Sequence, residues 1–280
     1  MRILRWLLLI AIGVYILVEL AACSFQERFI YFPDPTPAVL PDGSPFEEIR
    51  IETPDGESLL AWTMAAAPGC PTMLLLHGNG GHLDRDVPQY MRLHEAGVGL
   101  LALSWRGYAG STGKPSEDGL YTDAQAAYDT LIAEGLAPEN IIVHGFSLGT
   151  GPATKLSAEN AVGALVLEAP YYSILRIAER SAPIFPVSLG FRNGFHSHRY
   201  IGEVTAPILI AHGTADRTIP AGDSADLAAL APEGTTRILF EGSGHNTLVP
   251  DGLYEQAVWP FLSPIYPDCF FATSDEVSTP

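Results

Sequence analysis

Cysteine is scarce in this chain. Of the three, Cys23 closes an apolar N-terminal stretch, and Cys70 and Cys269 lie far apart. A separation that long leaves open whether the two are bridged or free. No Cys/His cluster has zinc spacing, so no metal site is expected. Basic residues are scarce too: 15 Lys and Arg stand against 32 Asp and Glu, a formal charge of −17. A nucleic acid would be repelled, and no basic stripe offsets this. The acidity reads instead as a solvated surface. Gly-x-Gly-x-x-Gly and P-loop patterns are missing, so no nucleotide cofactor is implied. There is no long Gly/Ser-rich linker and no internal repeat. A chain of 280 residues then suits one α/β domain with a tail.

One long apolar run is present, at the N-terminus. Arg2 and Arg5 precede and enter it, Glu19 interrupts it, and Leu20-Ala21-Ala22-Cys23 ends it. Its length is close to the roughly 17-residue minimum for a spanning helix. With arginine on the leading side, residues 1–25 read as an anchor that leaves the rest of the chain outside the cytoplasm. A cleaved signal peptide has similar parts. Leu20-Ala21-Ala22-Cys23 also matches a lipobox whose cysteine would be lipidated, although Glu19 sits awkwardly close to the cleavage point. Export under any of these readings would allow a Cys70–Cys269 bridge.

The most informative motif is Gly145-Phe146-Ser147-Leu148-Gly149, directly behind Ile141-Ile142-Val143. A short β-branched run reads as a buried strand. Gly151, Ala153 and Ala158 behind the motif suit a helix packed closely on a sheet. A serine at such a turn sits in a strained elbow, with its Oγ above the sheet edge and helix N–H groups beside it. It still needs a histidine base held by an acid. Two later strand-like runs supply candidates in the order Ser, Asp, His. Asp216 follows 207–212, and His245 ends the glycine-rich loop after 236–241. Each candidate lies just past the carboxyl end of a strand, where open α/β sheets place their sites. His77-Gly78-Asn79-Gly80-Gly81 follows the apolar run 72–76. The N–H of Asn79 or Gly80, with that of Leu148, would form an oxyanion hole.

The coarse order of elements is two antiparallel strands, 47–53 and 57–64, around Pro54-Asp55-Gly56, then alternating strands and helices. Strands are expected at 72–77, 99–105, 141–146, 164–168, 207–212 and 236–241. The clearest helix is 117–134, with Ser116 as N-cap and Leu120, Ala124, Ala127, Tyr128 and Leu131 on its apolar face. This alternation implies a mostly parallel sheet covered on both faces. Residues 171–201, rich in Phe and Pro, break the rhythm as a lid-like insertion or an irregular packed connection. The domain is expected to end at residue 264, with 265–280 a loose tail.

Together with Trp105-Arg106-Gly107-Tyr108-x-Gly110-Ser111 and His212-Gly213-x-x-Asp216, these motifs fall in one order over residues 46–262. In that order the chain resembles the α/β-hydrolase superfamily. The resemblance implies an eight-stranded, mostly parallel twisted sheet with helices on both faces. Within it, the apolar helix leading into Gln26-x-Arg28-x-Ile30-Tyr31-x-Pro33 is similar to small membrane-tethered hydrolases related to protein-depalmitoylating thioesterases. That implies ester or thioester hydrolysis and does not fix the substrate; a small-molecule or lipid-like acyl substrate is expected, with no cofactor.

Other residues compete for attention. Glu168 ends a strand where some hydrolases carry their acid, and it rivals Asp216. His144 reads as a core histidine, and the resemblance gives His77 and His212 structural roles. His196 and His198 could be a metal pair but have no third ligand nearby in sequence. Arg106 could hold a substrate carboxylate or a structural ion pair. Ser111 and Ser243 lack an elbow. The expectation is a serine hydrolase using Ser147, Asp216 and His245. An aminopeptidase-like amide hydrolase and a non-catalytic tethered binding protein are the alternatives.

Overall fold

The computed structural model describes residues 2–270. The apolar run is a single helix, α1 (Arg2–Phe25), followed by one turn, α2 (Glu27–Ile30). Strands β1 (Glu47–Glu52) and β2 (Ser58–Met64) pair antiparallel around Gly56, whose φ of +91° suits glycine there. Alternation begins with β3 (Thr72–Leu76), α3 (Val87–Glu95), β4 (Gly99–Leu103), α4 (Glu117–Ala133) and β5 (Ile141–Phe146). It continues through α5 (Thr150–Glu159), β6 (Ala164–Glu168), α6 (Ile174–Ser181) and β7 (Ile208–Gly213). The last elements are α7 (Ala221–Ala228), β8 (Thr236–Phe240) and α8 (Trp259–Leu262). Every expected strand forms, with ends displaced by two residues at most.

The eight strands make one sheet in the order β1-β2-β4-β3-β5-β6-β7-β8. β2 runs antiparallel to β1 and β4, and every pairing from β4 to β8 is parallel. Side chains alternate between two cores, as the pleat requires. Leu74, Leu76, Val143, Leu165 and Leu167 enter one core with α4 and α5. Met73, Leu75, Ile142, Ala164 and Val166 enter the other with α3 and α8. Both faces are buried, which is why these strands read as unbroken apolar runs. Ser116 caps α4, its Oγ accepting the N–H of Gly119 at 3.1 Å.

Two boundaries differ from the sequence reading. The chain does not come loose at residue 265. Tyr266 is buried and donates its hydroxyl to Glu139 O at 2.6 Å, and Phe270 stacks on Trp259. Cys269 is disulfide-bonded to Cys70, 199 residues earlier. A crosslink closing so long a loop restricts the unfolded chain strongly. The rest of the expected tail, residues 271–280, lies outside the described residues.

The second difference is in the insertion. Its ends belong to the core, because Tyr171, Phe195, Ser197 and Ile201 are fully buried. Only its middle, residues 174–191, rises as a cap. Helix α6 begins at Ser173, whose Oγ accepts the N–H of Arg176. It is pinned to α7 by Arg176 on Asp226 and Arg180 on Asp223, both at 2.6 Å.

Candidate active site

The site begins with two close backbone approaches. β3 and β5 lie side by side, with Leu76 opposite Gly145. The turn after β5 then folds back over the sheet. A Cβ at Gly149 would stand 2.0 Å from Leu76 O, and one at Gly145 would stand 2.6 Å from Gly149 O. Only glycine fits at either position. Ser147 between them has φ +48°, the left-handed region that costs a side-chain-bearing residue on the order of 1–3 kcal/mol. That conformation turns Oγ out of the sheet toward the loops after β7 and β8.

Those loops are joined to each other. Thr214 N–H bonds to Phe240 O, and Ala215 N–H bonds to Ser243 O. A Cβ on Gly213 would stand 2.3 Å from Ser243 O, so this approach too requires glycine. The result is a chain of hydrogen bonds. Ser147 Oγ is 2.8 Å from His245 Nε2, and His245 Nδ1 is 2.7 Å from Asp216 Oδ2. The other carboxylate oxygen accepts the N–H groups of Thr218 and Ile219. Burial of Asp216 opposes its charge. Hydrogen bonds from His212, His245 and Ile219 outweigh that burial and hold the carboxyl well below the usual carboxylate range. An ionised Asp216 favours the tautomer with the proton on Nδ1, leaving Nε2 free to accept from Ser147.

A cavity of about 690 Å³ opens above Ser147, and its lining is mostly apolar. Asn79 and Leu148 line it beside the serine. Gly80 lines a neighbouring cleft instead, and its carbonyl accepts from Arg85. The Asn79 side chain is held from three directions. Its Oδ1 accepts from Phe32 N–H and the Tyr108 hydroxyl, and its Nδ2 donates to Ile30 O. The segment after α1 thus clamps the loop beside the serine.

A family model for the alpha/beta hydrolase fold matches residues 71–188. An uncharacterized protein of Mycobacterium tuberculosis is 34% identical over 231 residues, 80% of this chain and 81% of that one. The alpha/beta hydrolase domain-containing protein 17C of Xenopus tropicalis is 32% identical over 223 residues, covering 78% of this chain and 70% of that protein. The chain belongs to the α/β-hydrolase family. In fold it is similar to an esterase of Pyrococcus furiosus, with a TM-score of 0.65 at 20% identity over 82% of this chain and 99% of that one.

The other polar candidates of the sequence have partners of their own in the hydrolase. Glu168 Oε2 is 3.2 Å from His144 Nε2 in a buried cluster and makes no contact with His245. Arg106 is an ion-pair hub, bonded to Asp123 and Asp55. His77 is buried between Gly78 O and Trp105 N–H, and burial lowers its pKa to about 4, which keeps it neutral. Tyr172 stacks on His198, whose ring meets His196 edge-on. The hydroxyls of Ser111 and Ser243 are engaged by Ser104 O and Asp251. Sequence reasoning missed Val18, Glu19, Phe29, Ile174 and Ile177 as cavity-lining residues. The last two had a signal: an N-capping serine followed by isoleucines three apart marks one face of a helix.

Burial, with repulsion from Glu168 behind it, raises the pKa of Asp86 to about 6. The folded state therefore holds this proton more tightly than the unfolded chain does. Stability should fall as pH rises from about 4 through about 6 and stay lowered above that. Asp86→Asn removes the penalty. It should gain on the order of 2 kcal/mol at pH 8 and almost nothing at pH 4, read from urea melts at the two pH values.

Proposed function

We propose that the hydrolase cleaves carboxylic esters or thioesters through an acyl-enzyme on Ser147. The observation that carries this reading is the unbroken chain Asp216–His245–Ser147, with contacts of 2.7 and 2.8 Å, at the floor of an apolar cavity. His245 Nε2 takes the Ser147 proton as Oγ attacks the carbonyl carbon. The oxyanion that forms accepts N–H groups of Leu148 and Asn79, an interaction worth about 10²–10³ in rate per donor. His245 then protonates the departing alcohol or thiol. Water, deprotonated by the same nitrogen, releases the acid and restores Ser147. Asp216 stays ionised throughout and stabilises the imidazolium. The apolar lining supports an acyl chain over an aminoacyl group.

Ser147→Ala should abolish turnover of acyl esters by a factor approaching about 10⁶, and labelling by a fluorophosphonate probe should disappear with it. Retention of a tenth of the activity by a clean, folded preparation would refute the assignment.

Asparagine at the two candidate acids separates their roles. Asp216→Asn should lower kcat by orders of magnitude, about 10⁴ where the wrong tautomer is trapped. Glu168→Asn should leave kcat within about tenfold, since Glu168 stands beside His144 and not beside His245. The reverse ranking, with both proteins folded, would make Glu168 the acid.

α1 contains a 20-residue stretch, Arg2–Ala21, long and apolar enough to cross a membrane. We propose that it anchors the hydrolase with its catalytic domain on the extracytoplasmic side. Arg2 and Arg5 at the leading end support that orientation, and the Cys70–Cys269 bridge supports an oxidising compartment. Cys23 falls within α1, and its side chain lies outside the described residues. Protease added to intact spheroplasts should digest the catalytic domain. Protection until lysis would reverse the orientation, and an acylated Cys23 in the mature protein would replace the helix by a lipid anchor.

A further inference from the structure

The cavity above Ser147 is walled by the anchor helix itself. Val18 and Glu19 of α1 line it opposite Ile174 and Ile177 of the cap. The contact continues along α1. The Tyr15 hydroxyl donates to Ile184 O at 2.8 Å, and its ring stacks on Phe185 at 5.3 Å. Glu19 explains how α1 is turned about its axis. A carboxylate in an apolar span is costly against lipid and tolerable against a cavity. Glu19 is the one charged side chain among the described lining residues.

The tip of the cap has the composition of a membrane-inserting segment. No charged residue occurs from Ser181 to Phe191, and Arg180 and Arg192 bracket that stretch. Ile184 is 76% exposed and Leu189 83%. Two such side chains in water are unfavourable, and here they stand beside a helix whose apolar surface is equally bare. The contact with Tyr15 sets their depth. Tyr15 lies six residues before Ala21, where the apolar span ends. At about 1.5 Å per residue that is roughly 9 Å along the helix. Interfacial segments bury their apolar faces to about 5–10 Å.

We propose that the cap tip, residues 182–189, is embedded in the leaflet from which α1 emerges, and that acyl chains pass from that leaflet into the cavity between α1 and the cap. The occupant of the exposed apolar tip is bilayer hydrocarbon. The substrate is the acyl group of a lipid or acylated molecule already resident in the membrane. This inference rests on the proposed membrane-anchored, Ser147-dependent reading.

The test uses the full chain reconstituted in phosphatidylcholine vesicles with two substrates, a water-soluble butyryl ester and a bilayer-resident palmitoyl ester. Leu189→Asp should lower turnover of the palmitoyl ester about tenfold or more, the scale set by one leucine leaving an apolar environment, and change the butyryl ester less than about twofold. Equal effects on both substrates, or no effect on either, would overturn the inference. A depth measurement is independent of catalysis. Leu189→Trp should be quenched by lipids brominated on their acyl chains, beyond the quenching of the unsubstituted chain. Absence of that added quenching overturns insertion even in an active enzyme. If the unsubstituted chain hydrolyses neither ester, the Ser147 reading fails and the quenching result alone decides the insertion.

Discussion

The contact on which the candidate active site depends is backbone on backbone. The turn after β5 packs so closely on the end of β3 that Gly149 has no room for a Cβ, and it folds so tightly against the start of α5 that Gly145 has none either. This approach over-determines Ser147 and holds it at φ +48° despite the cost. A relaxed backbone there would lower Oγ into the sheet and away from His245. The two flanking glycines are therefore a packing requirement before they are a catalytic signature. The local strain is carried by the parallel pairing of β3, β5 and β6, which buries both faces of the sheet.

Electrostatics then divide the acidic residues into two populations. Asp216 is surrounded by donors, from backbone N–H groups and two histidines, and its charge is favoured even though it is buried. Burial and the nearby Glu168 carboxylate oppose the charge of Asp86, which holds its proton more tightly as a result. Asp216 and Glu168 both lie near the carboxyl ends of strands, so distance along the chain cannot separate them. The pairing of each carboxylate does. Glu168 meets His144, which comes from inside β5, and Asp216 meets His245, which comes from a loop free to lean over Ser147.

The N-terminal segment belongs to the site as much as to the apolar helix that begins the chain. Ile30 and Phe32 clamp Asn79, Tyr31 donates to Asn193 at the base of the insertion, and Val18 and Glu19 wall the cavity. The N-terminal helix, the loop beside the serine and the cap are thus one connected structure. The disulfide at the opposite end of the chain does comparable work on the second core face, where it brings residues 265–270 onto the sheet.

The strands, their order of use and the elbow were legible in the sequence because each depends on local chemistry. Apolar runs report burial on both faces, Ser116 reports a helix start, and Gly-x-Ser-x-Gly reports a turn too tight for side chains. Motif order was enough to name Ser147, Asp216 and His245 as partners and to name the family. Tertiary structure alone decided the rest. Asn79 lines the cavity with Leu148, and the segment after α1 reaches back to hold its side chain. That Cys70 and Cys269 meet, and that residues 265–270 pack, was not legible, because contacts across 199 residues leave no periodic trace in sequence. Glu19 looked like an interruption of an apolar run. Only the rotation of α1 against the cap turns it into a wall of the cavity, because the facing of a helix is set by what packs beside it.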